Sequence, residues 1–220
     1  GGSRRGAAMF MLDVWHPSIP EFLDVKKDLN QISMANLSVG VTDNFMEAVK
    51  KDLPWNFVFP QIDHPKYDEE WDGDIEKWAG KHPIIEYGSM PARDLWDKIC
   101  EAAHECAEPG VVWLDRYNAL SNTKNIERIV GTNPCGEQGL PEWGVCNLGS
   151  INLLSCVDKL GVDWDKLAHI TRTAVRFLDN VIDKNDYLYP EIEEVQKRSR
   201  RIGLGTMGLA DALLVMGIRY

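Results

Sequence analysis

The stretch LSVGVTDNFMEAV, residues 37–49, has the pattern of a buried strand that leads directly into a helix. Its first five residues are apolar or small, and a short run of this kind is typical of a strand covered on both faces. Thr42 or Asp43 would cap the helix, because a side-chain oxygen there accepts a hydrogen bond from an amide of the first turn. Apolar residues from Phe45 to Val49 supply the buried side of that helix. This unit predicts strands joined through helices.

Outside this unit, the same alternation of strands and helices continues along most of the chain. The predicted elements are, in order, a buried strand at 6–14, a short helix at 21–27, a helix that begins near Ser89 and Pro91, a buried strand at 111–114, a polar loop at 115–125, a long helix capped by Asp163 and a final helix at 209–216. Strands that alternate with helices favour an α/β architecture.

The composition limits the classes of protein to consider. The chain has 220 residues, 44% of them apolar, which suffices for one large domain with a sizeable core or for two small ones. Lys and Arg total 24 against 34 Asp and Glu, a net charge of −10. This balance argues against a nucleic-acid-binding protein, which needs a basic face. No apolar run approaches the ~20 residues that span a bilayer, so we predict no membrane association.

Residues 61–80 differ from the rest of the chain in their charge. Seven acidic residues stand against two lysines there. Runs of like charge are usually solvated, so we predict an acidic surface excursion. An acid-lined metal site is the alternative interpretation.

The five cysteines are Cys100, Cys106, Cys135, Cys146 and Cys156. An odd number, without a secretory signal or dense spacing, is typical of a cytoplasmic protein whose thiols stay reduced. No CxxC pair occurs and the histidines are scattered, so no metal site is predicted. Cys100 and Cys106 fall on the stripe of a predicted helix and Cys156 in an apolar segment. We therefore predict that these three are core residues.

A glycine pattern near the end of the chain resembles a dinucleotide-binding motif. Gly203, Gly205 and Gly208 match GxGxxG, but that motif needs a buried strand just before it and an acidic residue about 20 positions later. Here the basic cluster 197–201 precedes the glycines. We reject the motif and expect Gly203 and Gly205 to permit close backbone packing. The cluster itself is predicted to be a solvated helix end, with phosphate contact as the alternative.

The segment Asn133-Pro-Cys-Gly-Glu-Gln138 is poor in packing residues and dense in functional groups. Pro134 fixes its own φ and biases Asn133 away from helix, while Gly136 permits unusual φ values. We predict an extended loop in which Asn133, Cys135 and Glu137 share one face. A carboxylate beside a thiol disfavours the thiolate. The arrangement therefore suits a protonated thiol used for hydrogen-atom chemistry, with a separate base nearby.

A second cysteine follows eleven residues later. Cys146 opens the segment Cys146-Asn-Leu-Gly-Ser-Ile-Asn-Leu153. A thiol so close in sequence to Cys135 is a candidate source of reducing equivalents. The alternative is that both cysteines are small apolar fillers, as most free cysteines are.

These two segments resemble the large catalytic subunit of ribonucleotide reductase, most closely its adenosylcobalamin-dependent class II branch. The class I branch typically has a Leu-Cys-Thr/Ser-Glu form of the loop. Weaker matches in the right order lie at 1–7, 36–39, 43–46, 109–116 and 201–211. The resemblance implies that residues 1–220 are a fragment of a single catalytic domain, a ten-stranded α/β barrel. A finger loop near 131–138 would carry the radical cysteine inside that barrel.

The resemblance also implies roles for individual residues. Cys135 would hold a transient thiyl radical and take hydrogen from the ribose 3′ carbon, Glu137 would act as general base on the 3′-hydroxyl, and Asn133 would bind the ribose hydroxyls. The residues implied to contact substrate are Asn133, Pro134, Cys135, Gly136 and Glu137. Cys146 would belong to a redox disulfide whose partner lies upstream of residue 1. A specificity loop would comprise Gly1, Gly2, Ser3, Arg4 and Arg5.

The implied activity is the reduction of ribonucleotides to 2′-deoxyribonucleotides for DNA synthesis. Its cofactor would be adenosylcobalamin, and its electrons would come from an external dithiol such as thioredoxin. Implied partners are the ribonucleotide substrate, a deoxynucleotide or ATP effector and a second copy of the chain in a homodimer.

Three other interpretations remain open at this point. A class I large subunit would take its radical from a separate metal-containing subunit. A truncated remnant would bind nucleotides without turnover. A cysteine hydrolase would need a histidine to activate Cys135, whereas the loop offers a carboxylate.

Overall fold

The computed structural model describes residues 6–27, 32 and 34–220, so the predicted specificity loop Gly1–Arg5 lies outside the described residues. The chain separates into two compact units, Gly1–Glu142 and Trp143–Tyr220. In the described part of the chain, no helix is long and apolar enough to cross a membrane.

The first unit contains a parallel sheet, an antiparallel hairpin and a small second hairpin. Its strands are β1 (Ala8–Asp13), β2 (Ala35–Val41), β3 (Pro54–Pro60), β4 (Ile84–Pro91), β5 (Gly110–Trp113), β6 (Gly131–Thr132) and β7 (Gly139–Leu140). Its helices are α1 (Ile19–Asp24), α2 (Asp43–Lys51), α3 (Tyr67–Glu70), α4 (Ile75–Ala79), α5 (Ala92–Cys106) and α6 (Leu114–Leu120). The parallel sheet has the strand order β1-β2-β5.

The β2–α2 unit folds as its sequence predicts. Thr42 is the cap residue, since its Oγ1 accepts a hydrogen bond from the Phe45 amide at 3.1 Å. Phe45 is fully buried and packs with Val39 and Val41 in the core of this unit. α1 and α5 cover the same core through Leu23 and other buried side chains. The core therefore lies between the parallel sheet and these helices.

The antiparallel pair β3–β4 was not predicted from the sequence. Prolines stand at both ends of β3 and at the end of β4, and proline weakens a strand signal. All but one of the β4 side chains are exposed, so the strand lacks the alternation that marks a half-buried sheet. The acidic residues 61–80 lie in the connection between these strands. Ile75 and Trp78 of α4 are buried there, which gives the connection an apolar centre.

The predicted polar loop 115–125 is wrong in its first half, where α6 runs from Leu114 to Leu120. This helix begins directly after β5 and without a capping side chain. Because the helix follows the strand without a polar linker, the sequence pattern does not mark where the helix begins. The helix matters because it packs against the hairpin that carries Cys135.

The second unit contains two strand pairs and three helices. They are β8 (Asn147–Asn152), a 3-10 turn (Leu153–Cys156), β9 (Val157–Asp158), β10 (Gly161–Val162), α7 (Trp164–Lys184), α8 (Pro190–Ser199), β11 (Ile202–Met207) and α9 (Leu209–Met216). β8 and β11 are parallel, with Leu148 opposite Gly203. Asp163 caps α7 as predicted, because its Oδ1 accepts from the Lys166 amide at 2.9 Å. The final helix also has the predicted bounds.

The described strands confirm α/β architecture. Both parallel arrangements, β1-β2-β5 and β8-β11, are open sheets within the described residues. The closed ten-stranded barrel and the insertion of a finger loop into it stay predictions.

Candidate active site

A short hairpin presents the candidate catalytic residues. β6 and β7 pair in antiparallel fashion, with Gly131 opposite Leu140 and Thr132 opposite Gly139. Below the pair, the Val130 amide donates to the Leu140 carbonyl at 3.0 Å. The six residues 133–138 therefore form the end of a hairpin, which we call the Cys135 hairpin together with its two strands.

The hairpin end is a tight turn and not the extended loop that the sequence predicted. The Gly136 amide donates to the Asn133 carbonyl at 2.9 Å, which places Pro134 and Cys135 at the two central positions of a β-turn. Pro134 supplies the φ that the first central position needs, and Gly136 adopts φ +80° at the last position of the turn. The local preferences of proline and glycine thus favour a turn over an extended segment. Strict alternation of side chains across one face does not apply here.

Asn133 closes the turn through its side chain and its backbone. Its Oδ1 accepts from the Gln138 amide at 3.0 Å, and its own amide donates to the Gln138 carbonyl at 3.2 Å. Within the described residues, its Nδ2 group has no hydrogen-bond partner, so these two N–H bonds remain for a ligand. The structure therefore gives Asn133 a role in shaping the turn besides the predicted role in substrate binding.

Cys135 and Glu137 are both exposed at the end of the hairpin. Cys135 is a free thiol, and no side chain of the described residues forms a hydrogen bond with it. Glu137 follows two residues later, just after Gly136. The Cys135 thiol and the Glu137 carboxylate are thus both exposed at the end of the hairpin, and the turn begins at Asn133.

The hairpin is held from below by α6, through residues that the sequence analysis missed. Asn118 Nδ2 donates to the carbonyl oxygens of Leu114 at 3.0 Å and Ile129 at 2.9 Å. Its Oδ1 accepts from the Ile129 amide at 2.8 Å. The Tyr117 ring lies against Gly139, where a Cβ atom would be only 2.5 Å from a ring carbon. Leu114 and Tyr117 are three residues apart, which is a weak helical signal in the sequence.

The parallel sheet contacts the base of the same hairpin. A Cβ atom at Gly131 would meet Met11 Cε of β1 at an ordinary contact distance of 3.9 Å. Met11 and Asp13 lie on one face of β1, because side chains alternate along a strand. Burial raises the pKa of Asp13 to about 6, the Arg128 guanidinium opposes this, and the carboxylates of Asp74 and Asp115 add to it. A titratable group thus lies on the strand face that meets the hairpin base.

Cys146 lies in the second unit, just before β8, and is half-buried. A Cβ atom at Gly203 of β11 would be 3.1 Å from Cys146 Sγ and 2.4 Å from Leu148 Cδ2. Both atoms are side-chain ends, and the nearest backbone atom, the Asn147 carbonyl oxygen, would be 3.7 Å away, so the predicted close backbone packing at Gly203 is not found. At Gly205 the nearest atom is Ser150 Oγ at 3.9 Å, so the same expectation is wrong there. Next to the thiol, Asn147 Nδ2 donates to the Leu178 carbonyl of α7 at 2.8 Å, which fixes the start of β8.

The other cysteines differ in their exposure. Cys156 is fully buried, as predicted, and Cys106 is half-buried. Cys100 is exposed, so its assignment to the core is wrong. It is the neighbour of buried Ile99 on α5, and consecutive helical residues point about 100° apart. The predicted apolar face of α5 therefore included one residue too many, Cys100.

The remaining polar motifs of the sequence have structural partners. Arg200, in the basic cluster, binds Asp179 of α7 at 2.7 Å and Asp183 at 3.1 Å. Gly203 and Gly205 lie inside β11, and Gly208 precedes α9 with φ +72°. The glycines thus do not follow a strand as the dinucleotide motif requires. Among the residues that the structure describes, no group of three or more His, Cys, Asp or Glu side chains is arranged to hold a metal ion.

Comparison with known proteins adds an independent finding. A family model described as "Ribonucleotide reductase, barrel domain" matches residues 1–220. A protein of Mycobacterium tuberculosis (strain CDC 1551 / Oshkosh), named vitamin B12-dependent ribonucleoside-diphosphate reductase, is 43% identical over 221 residues, which cover 100% of this chain and 29% of the relative. A protein of Thermoplasma acidophilum with the same name is 40% identical over 222 residues, covering 100% of this chain and 26% of the relative.

A more distant relative carries a different name. The ribonucleoside-diphosphate reductase large chain of Cryptosporidium parvum is 33% identical over 232 residues, which cover 100% of this chain and 29% of that protein. The chain thus spans less than a third of the length of these relatives. Because the family model covers every residue from 1 to 220, the chain belongs to the ribonucleotide reductase family, within its barrel domain.

Proposed function

We propose that this chain carries the radical-bearing part of a reductase that converts ribonucleoside diphosphates to 2′-deoxyribonucleoside diphosphates. The observation that carries the proposal is the Cys135 hairpin, whose tight turn presents a thiol, a carboxylate and an amide together. The diphosphate form is proposed because the relatives at 40–43% identity are named ribonucleoside-diphosphate reductases.

In this mechanism the Cys135 hairpin performs the first steps on the ribose. Cys135, as a thiyl radical, takes the hydrogen atom from the 3′ carbon and becomes a thiol. Glu137 accepts the proton of the 3′-hydroxyl as general base. The free Nδ2 of Asn133 donates to a ribose hydroxyl and holds the sugar in register. The 2′-hydroxyl then leaves as water, and Cys135 later returns the hydrogen atom to the 3′ carbon.

The two electrons for the reduction come from a pair of thiols. Cys146 is proposed as one of them, and its partner as a cysteine outside the 220 residues. Each turnover converts two thiols and one ribonucleotide to a disulfide, a deoxyribonucleotide and water. An external dithiol such as thioredoxin then reduces the disulfide by exchange. A cytoplasmic location is part of the proposal, because this cycle needs a reducing compartment.

The radical source proposed for this chain is adenosylcobalamin, in line with the vitamin B12-dependent names of the relatives. The residues present fit such a source, since the Cys135 thiol is exposed and no described side chain bonds to it. Adenosylcobalamin, when bound, would supply the radical chemistry that converts the Cys135 thiol to a thiyl radical. Cys135 is the residue that would face it, and the hairpin would keep the resulting thiyl radical in place.

We also propose the barrel, the effector and the homodimer that the family resemblance implies. Residues 1–220 would form part of a single ten-stranded catalytic barrel, and the Cys135 hairpin would be its finger loop. Gly1–Arg5 would pass effector information to the substrate base. A deoxynucleotide or ATP would be the effector, and the complete protein would act as a homodimer.

The test is deoxynucleotide formation by the full-length protein that contains this chain. The assay would use a ribonucleoside diphosphate and a dithiol, with and without adenosylcobalamin, and no second subunit. We expect product only with the cofactor. Product that requires a separate metal-containing subunit would contradict the cobalamin assignment, and nucleotide binding without turnover under every condition would contradict the activity.

Cysteine variants test the assignment of the radical residue. Cys135→Ser should abolish product formation, because a hydroxyl does not form the required radical under the same conditions. Cys100→Ser is the matched control, since Cys100 is also exposed but lies on α5 away from the hairpin. Deoxynucleotide formation by Cys135→Ser at the wild-type rate would refute the proposal.

A further inference from the structure

Two consecutive residues of α6 contact the two sides of the Cys135 hairpin, Asn118 just before β6 and Tyr117 at β7. Asn118 binds the segment that enters it, through both polar groups of the Ile129 backbone. Tyr117 lies against the strand that leaves it, at Gly139. Ile129 and Gly139 also lie close together, because a Cβ atom at Gly139 would be 3.0 Å from Ile129 Cγ2. We call Tyr117, Asn118, Ile129 and Gly139 the α6 clamp.

The hydrogen bonds of Asn118 define its geometry closely. Its amide group makes three bonds, two to Ile129 and one to the Leu114 carbonyl of its own helix. The bond to the Leu114 carbonyl fixes the side-chain rotamer of Asn118. The two bonds to Ile129 therefore set the distance between the Ile129 backbone and α6. Ile129 is 2% exposed and lies two residues before β6 begins. A shift of Ile129 would move the strand that leads to Cys135.

The contact at Gly139 constrains the other strand in a different way. Any side chain there would overlap the Tyr117 ring, so glycine lets β7 lie directly on the aromatic face. Gly139 is buried between this ring and Ile129. The segment before β6 and the strand β7 are therefore fixed against the same helical turn, the first by hydrogen bonds and the second by packing.

We propose that Tyr117 and Asn118 are positioning residues, which keep the Cys135 hairpin in register for the reaction without contacting substrate. The inference rests on the proposed function for its activity measurement only. A radical thiol must lie within contact distance of the hydrogen atom that it takes, and a displacement of about 1 Å in such a site costs about 100-fold in rate. The clamp supplies this precision from a neighbouring helix.

The first experiment measures amide hydrogen exchange in the full-length protein carrying Asn118→Leu. The variant removes the acceptor of the Ile129 amide, so faster exchange of Ile129 alone is trivial. We expect exchange to rise about tenfold also at Val130, Asn133 and Gly136, whose own acceptors remain in place. Unchanged exchange at these three amides would overturn the proposal.

Matched variants separate positioning from general loss of structure. Asn122→Leu, which changes an exposed asparagine just after the end of α6, should leave exchange in the hairpin unchanged. Tyr117→Phe keeps the ring and should also preserve hairpin protection, whereas Tyr117→Ala should raise exchange on both strands. If Asn118→Leu raises exchange uniformly through β1, β2 and α5 as well, its role is structural and the proposal fails.

Kinetics provide the second readout. Asn118→Leu should lower kcat about 100-fold, because a shifted hairpin misplaces the thiol relative to the hydrogen atom that it takes. KM should change less than about threefold, because the Asn133 amide is only one of the groups that bind the nucleotide. A rise in KM at unchanged kcat would contradict the proposal. If the wild-type protein makes no deoxynucleotide, the proposed function fails, but the exchange experiment still tests the clamp.

Discussion

At the scale of single residues, the burial of Asp13 makes the stability of the fold depend on pH. It ends β1, and a Cβ atom at Gly40 would be 2.3 Å from its Oδ1, so the carboxyl group lies in a space that only glycine leaves open. Burial raises its pKa to about 6, from 3.8. A carboxyl group with a raised folded-state pKa binds more protons in the folded state than in the unfolded state between these two values. Stability contributed by Asp13 is therefore present below about pH 4 and is lost as the pH rises through 6.

We predict that Asp13→Asn increases the free energy of unfolding at pH 7.5 by an amount on the order of 2 kcal/mol. Asparagine has the same shape but carries no charge to desolvate. Urea unfolding at several pH values would measure this, and the gain should shrink between pH 6 and 4 and vanish below. Asp63→Asn, at an exposed site in the acidic connection, is the control and should change little. A loss of stability in Asp13→Asn at pH 7.5 would show that the Arg128 attraction outweighs the burial.

At the scale of elements, α2 owes its start to one side chain. Thr42 Oγ1 satisfies the Phe45 amide, and Phe45 is fully buried in the core of the first unit. We predict that Thr42→Ala lowers the free energy of unfolding by about 1 kcal/mol, since the amide loses its partner. Thr42→Ser keeps the hydroxyl and should lose less than half of that. Equal losses in the two variants, measured by urea unfolding, would mean that the methyl group and not the cap is responsible.

Which elements the sequence predicts depends on whether each one buries a regular face. β2, α2, α7 and α9 were predicted because they combine an apolar pattern with a clear boundary such as Thr42 or Asp163. β3 and β4 were missed because prolines bound them and β4 is almost wholly exposed. α6 was missed because it begins without a capping residue. Boundaries and burial, and not helix or strand propensity alone, decided each outcome.

The sequence predicts the residue types of the candidate site better than it predicts the geometry of that site. Its residue types were predictable, because Asn133, Cys135 and Glu137 occur together in a segment with almost no packing residues. Pro134 and Gly136 favour a turn there, but the way in which the turn closes was not predictable, because it depends on the hydrogen bonds that Asn133 makes with Gly136 and Gln138. The α6 clamp was also beyond sequence reasoning, since Asn118 and Ile129 are eleven residues apart and no local pattern joins them.

At the scale of the whole molecule, the five thiols differ in how much of the fold covers them, and this difference is measurable. Cys156 is the last residue of the 3-10 turn and is fully buried, while Cys100 is exposed on α5. A buried thiol reacts only when the structure opens, so its labelling rate reports the free energy of that opening.

We predict that in the native reduced protein iodoacetamide labels Cys100 at least about a hundredfold faster than Cys156, because even an opening that costs about 3 kcal/mol imposes that factor. Peptide mass spectrometry would measure the two rates. In denaturant the two rates should become equal, which controls for intrinsic reactivity. Similar native rates would show that the second unit opens freely around Cys156, and a unit that opens so freely would not hold Cys146 against Gly203 for a redox step.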